Sequence, residues 1–212
     1  MKLLYLCLLP LSFSLFAQDD LAPLPHNVLK NPSFERGAPT QGMEPVGWLD
    51  CGEQGESPVD VHGNDRKYNF FSIRELAAYG EQFLGMVVRS NGTTECIYQR
   101  FRKPLEPGEY IIRITAARPR EARSLDRVTG APARYTQPVY LEMTGKFEDA
   151  PKPWGVLAQT PAVLSSDWTT WEFRFKLKYP LKEFKLSAQY TGAGMYNGYV
   201  LVDRVELAPV LD

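Results

Sequence analysis

In "WTTWEFRFKLKY" (168–179) the side chains of Trp171, Phe173, Phe175 and Leu177 share one parity, while Glu172, Arg174, Lys176 and Lys178 take the other. A period of two puts successive side chains on opposite faces of an extended chain, so this stretch reads as a strand with one face buried and one in water. The same reading extends to "FLGMVV" (83–88), "CIYQRF" (96–101), "EYIIRITAA" (109–117), "VYLEMTG" (139–145), "FKLSAQY" (184–190) and "YVLVDRVEL" (199–207). Shorter pieces near "GWLD" and "VDVH" bring the total to about nine strands. Turn-forming stretches such as "SNGTT", "LEPGEY" and "KYPLKEF" separate them, and only "SIRELAAYG" (72–80) suggests a helical turn or two. Many short strands punctuated by Pro and Gly predict an all-β sandwich of jelly-roll type.

The chain opens with Met1-Lys2 and an apolar run from Leu3 to Phe16, then turns polar at Gln18-Asp19-Asp20. This is the layout of a secretory signal peptide, and the run is too short to span a bilayer. Residues 1–17 are therefore expected to be a leader and 18–212 one β-sandwich domain, exported across the inner membrane to the periplasm, the outer membrane or the medium. The mature chain is expected to carry no transmembrane segment. A formal net charge of −1 argues against nucleic acid, which demands a basic face. Of three cysteines Cys7 leaves with the leader, so Cys51 and Cys96 form an even pair in an oxidising compartment. A disulfide between them would stabilise the fold by about 4 kcal/mol on the chain-entropy model. The alternative is two buried thiols.

Asp203 falls among the apolar residues of "YVLVDRVEL", where Tyr199, Leu201, Val205 and Leu207 share its parity. Both parities are partly apolar, so the strand is expected inside a sheet with Asp203 buried. A buried ionised carboxylate costs several kcal/mol unless it is paired or metal-bound. "NVLKNPSFERG" followed by "PVGW", then "AAYGEQFLGMVV", "PLEPGEYIIRI" and the closing "YVLVDRVEL" together resemble galactose-binding-like jelly rolls, the superfamily that holds many carbohydrate-binding modules. More narrowly, "GWLDCGEQGESPVDVHG" and "GEQFLGMVVR" look like a domain of secreted and outer-membrane Bacteroidetes proteins, sometimes found ahead of OmpA-type domains. The resemblance implies a structural Ca²⁺ tying the first strand to the last through Glu35 and Asp203, residue types that suit this hard cation. Backbone amides or an Arg partner for Asp203 are the alternative.

Candidate binding residues follow from chemistry. The segment 117–138 has little apolar periodicity and carries Arg118, Arg120, Arg123, Arg127 and Arg134, whose planar guanidinium groups suit carboxylate, phosphate or sulfate. Read as a loop, it is long enough to be functional or disordered, and a solvated charged loop is its bland reading. Tyr68 and Phe71 in "RKYNFF" and Trp154 in "KPWG" read as loop aromatics on which a sugar ring could stack. Asp60 and His62 share a face of an extended segment, a spacing that serves a metal corner, an acid–base pair or a rim network.

No G-x-S-x-G, H-E-x-x-H, P-loop or dinucleotide motif is present, so the chain is not expected to be an enzyme. The expectation is a non-catalytic module that recognises a carbohydrate or envelope glycan through these aromatics and arginines. The alternative is a protein-interaction accessory of an outer-membrane or cell-surface assembly, serving secretion, adhesion or gliding.

Overall fold

The computed structural model describes residues 22–52, 56, 58–192 and 194–211, together with the backbone of 14–16. The leader reading thus lies outside the described residues except at Ser14–Phe16. The strands are β1 (Ser14–Phe16), β2 (Leu49–Asp50), β3 (Asp60–Gly63), β4 (Gln82–Val88), β5 (Cys96–Leu105), β6 (Gly108–Ala117) and β7 (Arg123–Leu125). They continue with β8 (Pro132–Arg134), β9 (Val139–Phe147), β10 (Trp154–Gln159), β11 (Thr169–Leu177), β12 (Leu181–Tyr190) and β13 (Gly198–Pro209). Two antiparallel sheets form a jelly-roll sandwich, one ordered β1-β11-β6-β13-β4-β3 and the other β10-β9-β12-β5-β2. Between them Met86, Ile112, Phe173 and Val200 of the first sheet meet Ile97, Leu141, Phe184 and Leu186 of the second. The parity read in β11 holds, with Trp171, Phe173 and Leu177 buried in this core and Phe175 packed against it. Cys51 and Cys96 are bridged, pinning the chain beside β2 to the start of β5.

A second, smaller apolar cluster covers the opposite face of the six-stranded sheet. Phe83, Val87, Tyr199 and Leu201 of β4 and β13 pack there against Ile73, Ala122 and Tyr135, contributed by the connections that lie over this face. Both faces of β4 and β13 are therefore buried.

Four sequence expectations change. Ser72–Gly80 forms no helix, because side chains elsewhere capture its amides: Asn64 Oδ1 accepts from Ala77 N (2.7 Å) and Asp203 Oδ2 from Tyr79 N (2.7 Å). The segment 117–138 is not a long loop. It folds as the hairpin β7–β8, whose turn is built on Asp126 Oδ1, which accepts from Val128 N (3.0 Å) and Thr129 N (2.8 Å). Trp154 opens strand β10 rather than sitting in a loop.

The fourth change concerns β13. The pairing of β13 with β6 slips between Val202 and Val205, and Arg204 has φ 71°, so Asp203 and Arg204 form a bulge. Before the bulge Val200 and Val202 face the main core while Tyr199 and Leu201 face the second cluster; after it Val205 and Leu207 face the main core. One inserted residue exchanges the faces of everything beyond it, so a single parity across 199–207 does not hold.

Candidate functional site

The second cluster does not close completely. Between β3, β4, β13 and the β7–β8 hairpin lies a cavity of about 210 Å³, with Asp60, Arg89, Glu95 and Tyr199 among its lining residues. Asp60 pairs opposite Gly85 and His62 opposite Phe83, which puts both side chains on the sheet face that carries Tyr199. Tyr199 Oη donates to Asp60 Oδ2 (2.8 Å) and lies 2.9 Å from His62 Nε2. His62 Nδ1 accepts from Phe70 N (3.4 Å), which assigns the imidazole proton to Nε2 and makes it the donor to Tyr199. The chain of donors therefore runs from His62 through Tyr199 to Asp60, whose other oxygen accepts from Gly42 N (2.9 Å).

Burial sets the charge states. It pushes the Asp60 carboxyl up to about 6, against the opposing hydrogen bonds from Tyr199 and Gly42 and the Arg89 charge. It drives His62 down to about 3, so the ring is neutral, and it holds the Tyr199 phenol well above its usual range. Beside this chain Arg89 Nη2 binds Glu95 Oε1, while Glu95 Oε2 accepts from Val87 N (3.0 Å). Desolvation raises the Glu95 carboxyl, and Arg89 opposes it.

Gly85 makes the arrangement possible. A Cβ there would stand 2.1 Å from Tyr199 Oη, so only glycine lets the phenol lie across β4 to reach Asp60. Phe71 and Tyr135 wall the cavity, with Phe71 6.3 Å from the Tyr199 ring. Gln41, Leu125, Arg123 and Arg127 complete the lining on the connection and hairpin side.

Of the residues singled out in the sequence, Asp60, Phe71, Arg123 and Arg127 line this cavity, and His62 stands behind them through Tyr199. Tyr68 ends the 3₁₀ turn Arg66–Tyr68, with Lys67 Nζ 4.7 Å from its ring centroid. Arg118 and Arg120 precede the hairpin: Arg118 N donates to Ser165 O (2.8 Å), and Arg120 lines a separate groove with Arg74, Glu75 and Trp168. Arg134 lies exposed on β8, opposite Arg123. Trp154 belongs to the other sheet. Opposite Lys146 on that sheet's outer face and 42% exposed, it has Lys146 Nζ and Lys185 Nζ at 5.7 and 5.3 Å from its ring centroid. Sequence reasoning missed Tyr199, Arg89, Glu95 and Tyr135, which carry no motif. The signal present was the phenol of Tyr199 at the start of the strand already flagged for its buried carboxylate.

Glu35 and Asp203 each bind amides of the Tyr79–Gln82 backbone. Glu35 Oε1 accepts from Glu81 N (3.0 Å) and Gln82 N (2.8 Å), docked where a Gly80 side chain would stand, and Gly80 has φ +72°. Asp203 is 0% exposed and pushed up to about 7 by burial, with the charge of Glu35 adding to the shift. Its Oδ1 has no hydrogen-bond partner. An orphaned buried carboxylate oxygen near a second carboxylate fits a hard cation. Among the described residues no three His, Cys, Asp or Glu side chains cluster, and the backbone groups that touch these two carboxylates are amide donors, so a cation would need ligands beyond the pair.

No protein-family model and no curated protein matches the sequence. Solved structures do match the backbone. An arabinose-bound α-L-arabinofuranosidase, MgGH51, gives a TM-score of 0.53 at 12% identity, covering 87% of this chain and 26% of that one. A Stig cyclase from Fischerella sp. TAU gives 0.52 at 15% identity, covering 87% and 98%. The CBM22-1 xylan-binding domain of Paenibacillus barcinonensis Xyn10C gives 0.48 at 15% identity, covering 85% and 92%. The chain thus spans about a quarter of the arabinofuranosidase structure. At such identities the likeness is one of fold, the jelly-roll β-sandwich. No helix among the described residues is long and apolar enough to cross a membrane.

Proposed function

We propose that this protein is an exported, non-catalytic carbohydrate-binding module that seats one sugar residue of a glycan in the cavity beneath the β7–β8 hairpin. The observation that carries the reading is the fixed chain His62–Tyr199–Asp60 at the floor of an opening of about 210 Å³ walled by Phe71 and Tyr135. Binding sites combine apolar walls with a few placed polar groups, and aromatic faces suit the C–H faces of sugars. A non-catalytic role fits the carboxylates: Asp60 is held by Tyr199 and Gly42, Glu95 by Arg89 and Val87, with neither left loose across an open cleft. A structural Ca²⁺ at Glu35 and Asp203 belongs to the same reading. It would supply charge compensation and tie the opening segment to β13.

The test is calorimetric titration of a broad glycan panel. At least one glycan should saturate the wild type, and Tyr199→Phe, which removes one hydroxyl from the floor, should bind it roughly tenfold more weakly. A folded protein that binds no member of the panel would overturn the reading.

A further inference from the structure

The hydrogen-bond ledger of the cavity leaves a donor over. Arg89 is 5% exposed, its Nη2 engages Glu95 Oε1, and its Nε lies 3.6 Å from Glu56 Oε2. Its Nη1 has no partner although it is buried. A guanidinium carries five N–H donors, and a buried one left unmade is costly. Arg89 lines the cavity together with Arg123 and Arg127, and Arg127 Nε lies 3.2 Å from Glu56 Oε2. Three guanidinium groups therefore border one small opening.

The acceptors tell the other half. Both Glu95 oxygens are engaged, one by Arg89 and one by Val87 N. Each Asp60 oxygen takes a single donor, from Gly42 or from Tyr199. A carboxylate oxygen has two lone-pair sites, so Asp60 keeps room for a hydroxyl donor. The occupant these groups call for has hydroxyls to give and a strong acceptor to offer.

We propose that the sugar residue taken by this cavity is a uronic acid, its carboxylate received by Arg89 Nη1 with Arg127 at the rim and a ring hydroxyl received by Asp60. The proposal rests on the glycan-binding reading and deepens it by naming the ligand class. A neutral sugar would satisfy Asp60 but would give Arg89 only a weak neutral acceptor. A carboxylate matches the planar fork of the guanidinium and forms the stronger, charge-assisted bond. An acidic peptide could supply the carboxylate but not the ring hydroxyls.

The test titrates the purified protein with trimers of galacturonate, glucuronate, mannuronate and guluronate, with neutral galactose, glucose and mannose trimers, and with a peptide ending in glutamate. One uronate trimer should bind at least roughly tenfold tighter than every neutral trimer and the peptide, the scale of one charge-assisted hydrogen bond. Arg127→Gln, at an exposed side chain, should keep the melting temperature and lose severalfold in uronate affinity. Arg89→Lys, confirmed as folded by its melt, should remove the preference for uronate over neutral sugar. Neutral trimers binding as tightly as uronates would overturn the proposal and leave the module reading standing, and a peptide binding as tightly would overturn the uronate assignment. Failure of every sugar would overturn both.

Discussion

Asp60 and Asp203 belong to the same six-stranded sheet, on β3 and β13, and burial raises both carboxyls, to about 6 and about 7. Their surroundings differ in kind. Asp60 is held by a phenol and one amide, faces a cavity, and has a guanidinium beside it. Asp203 is fully enclosed at a bulge, held by Tyr79 N with its other oxygen unpartnered and another carboxylate nearby. Desolvating a carboxylate is costly wherever it occurs, and this fold offsets that cost in two ways. The geometry at Asp60 opens onto a cavity, whereas the geometry at Asp203 is enclosed with one oxygen unpartnered, the feature on which the calcium proposal rests.

The difference can be broken most forcefully on the Asp60 side through Gly85. In Gly85→Ala the new Cβ would collide with Tyr199 Oη, expelling the phenol from the sheet face and severing Asp60 from His62. Overpacking of this kind costs about 3 kcal/mol, to be read as a lower denaturant midpoint, and glycan binding should disappear with it. A variant of wild-type stability would show that the phenol has room elsewhere and that the floor is not fixed.

On the Asp203 side the instrument is calcium. With Ca²⁺ at about a hundred times its dissociation constant, linkage adds about 2.7 kcal/mol to the folded state. Chelation should therefore lower the melting temperature of the wild type and leave that of Asp203→Asn unmoved. Equal melts for the wild type with and without chelator would return Asp203 to its amides alone.

How far the sequence foretold this molecule depends on the range of the interactions involved. Period-two patterns in β11 and β6 are local and survive folding, because each side chain reports which face of its own strand is buried. The bulge at Asp203–Arg204 is not local: it exists where β13 leaves the register of β6, and no residue type announces it. The hairpin within 117–138 escaped because its strands are three residues each, and its turn is held by one carboxylate that also binds Ser90 Oγ and Asn197 Nδ2. The burial of Asp203 was legible from the apolar residues around it, and the shared face of Asp60 and His62 from their parity. Tyr199, Arg89 and Glu95 were not, since what makes them a site is the meeting of β3, β4 and β13 across the sheet. Trp154 was placed in a loop because the Pro-rich "KPWG" masks the start of β10, whose pairing with β9 is set by residues distant in sequence.

The smallest expected effect is also the sharpest, because it separates two groups in one chain of hydrogen bonds. The Asp60 carboxyl sits at about 6 in the fold against 3.8 for an unperturbed Asp, so between these values the folded protein holds a proton that the unfolded chain has released. Its stabilising contribution is absent above the folded value and grows as pH falls through about 6. His62 works the other way. Held at about 3 against 6.5, it stays neutral where the unfolded imidazole charges, so its contribution is complete above 6.5 and drains away on acidification. Between neutrality and about pH 4.5 each term amounts to about 2 kcal/mol, and with opposite signs they nearly cancel. Asp60→Asn removes one term and keeps the other; Asp203 and Glu206 contribute alike to both proteins, and Glu95, which the Asp60 charge helps to raise, gains less on acidification in the variant and so adds to the difference in the same direction. Urea unfolding at pH 7 and at about pH 4.5 should show the variant losing about 2 kcal/mol more than the wild type on acidification. Parallel losses would mean that Asp60 holds no extra proton in the fold, and that its environment resembles water more than it resembles the enclosure around Asp203.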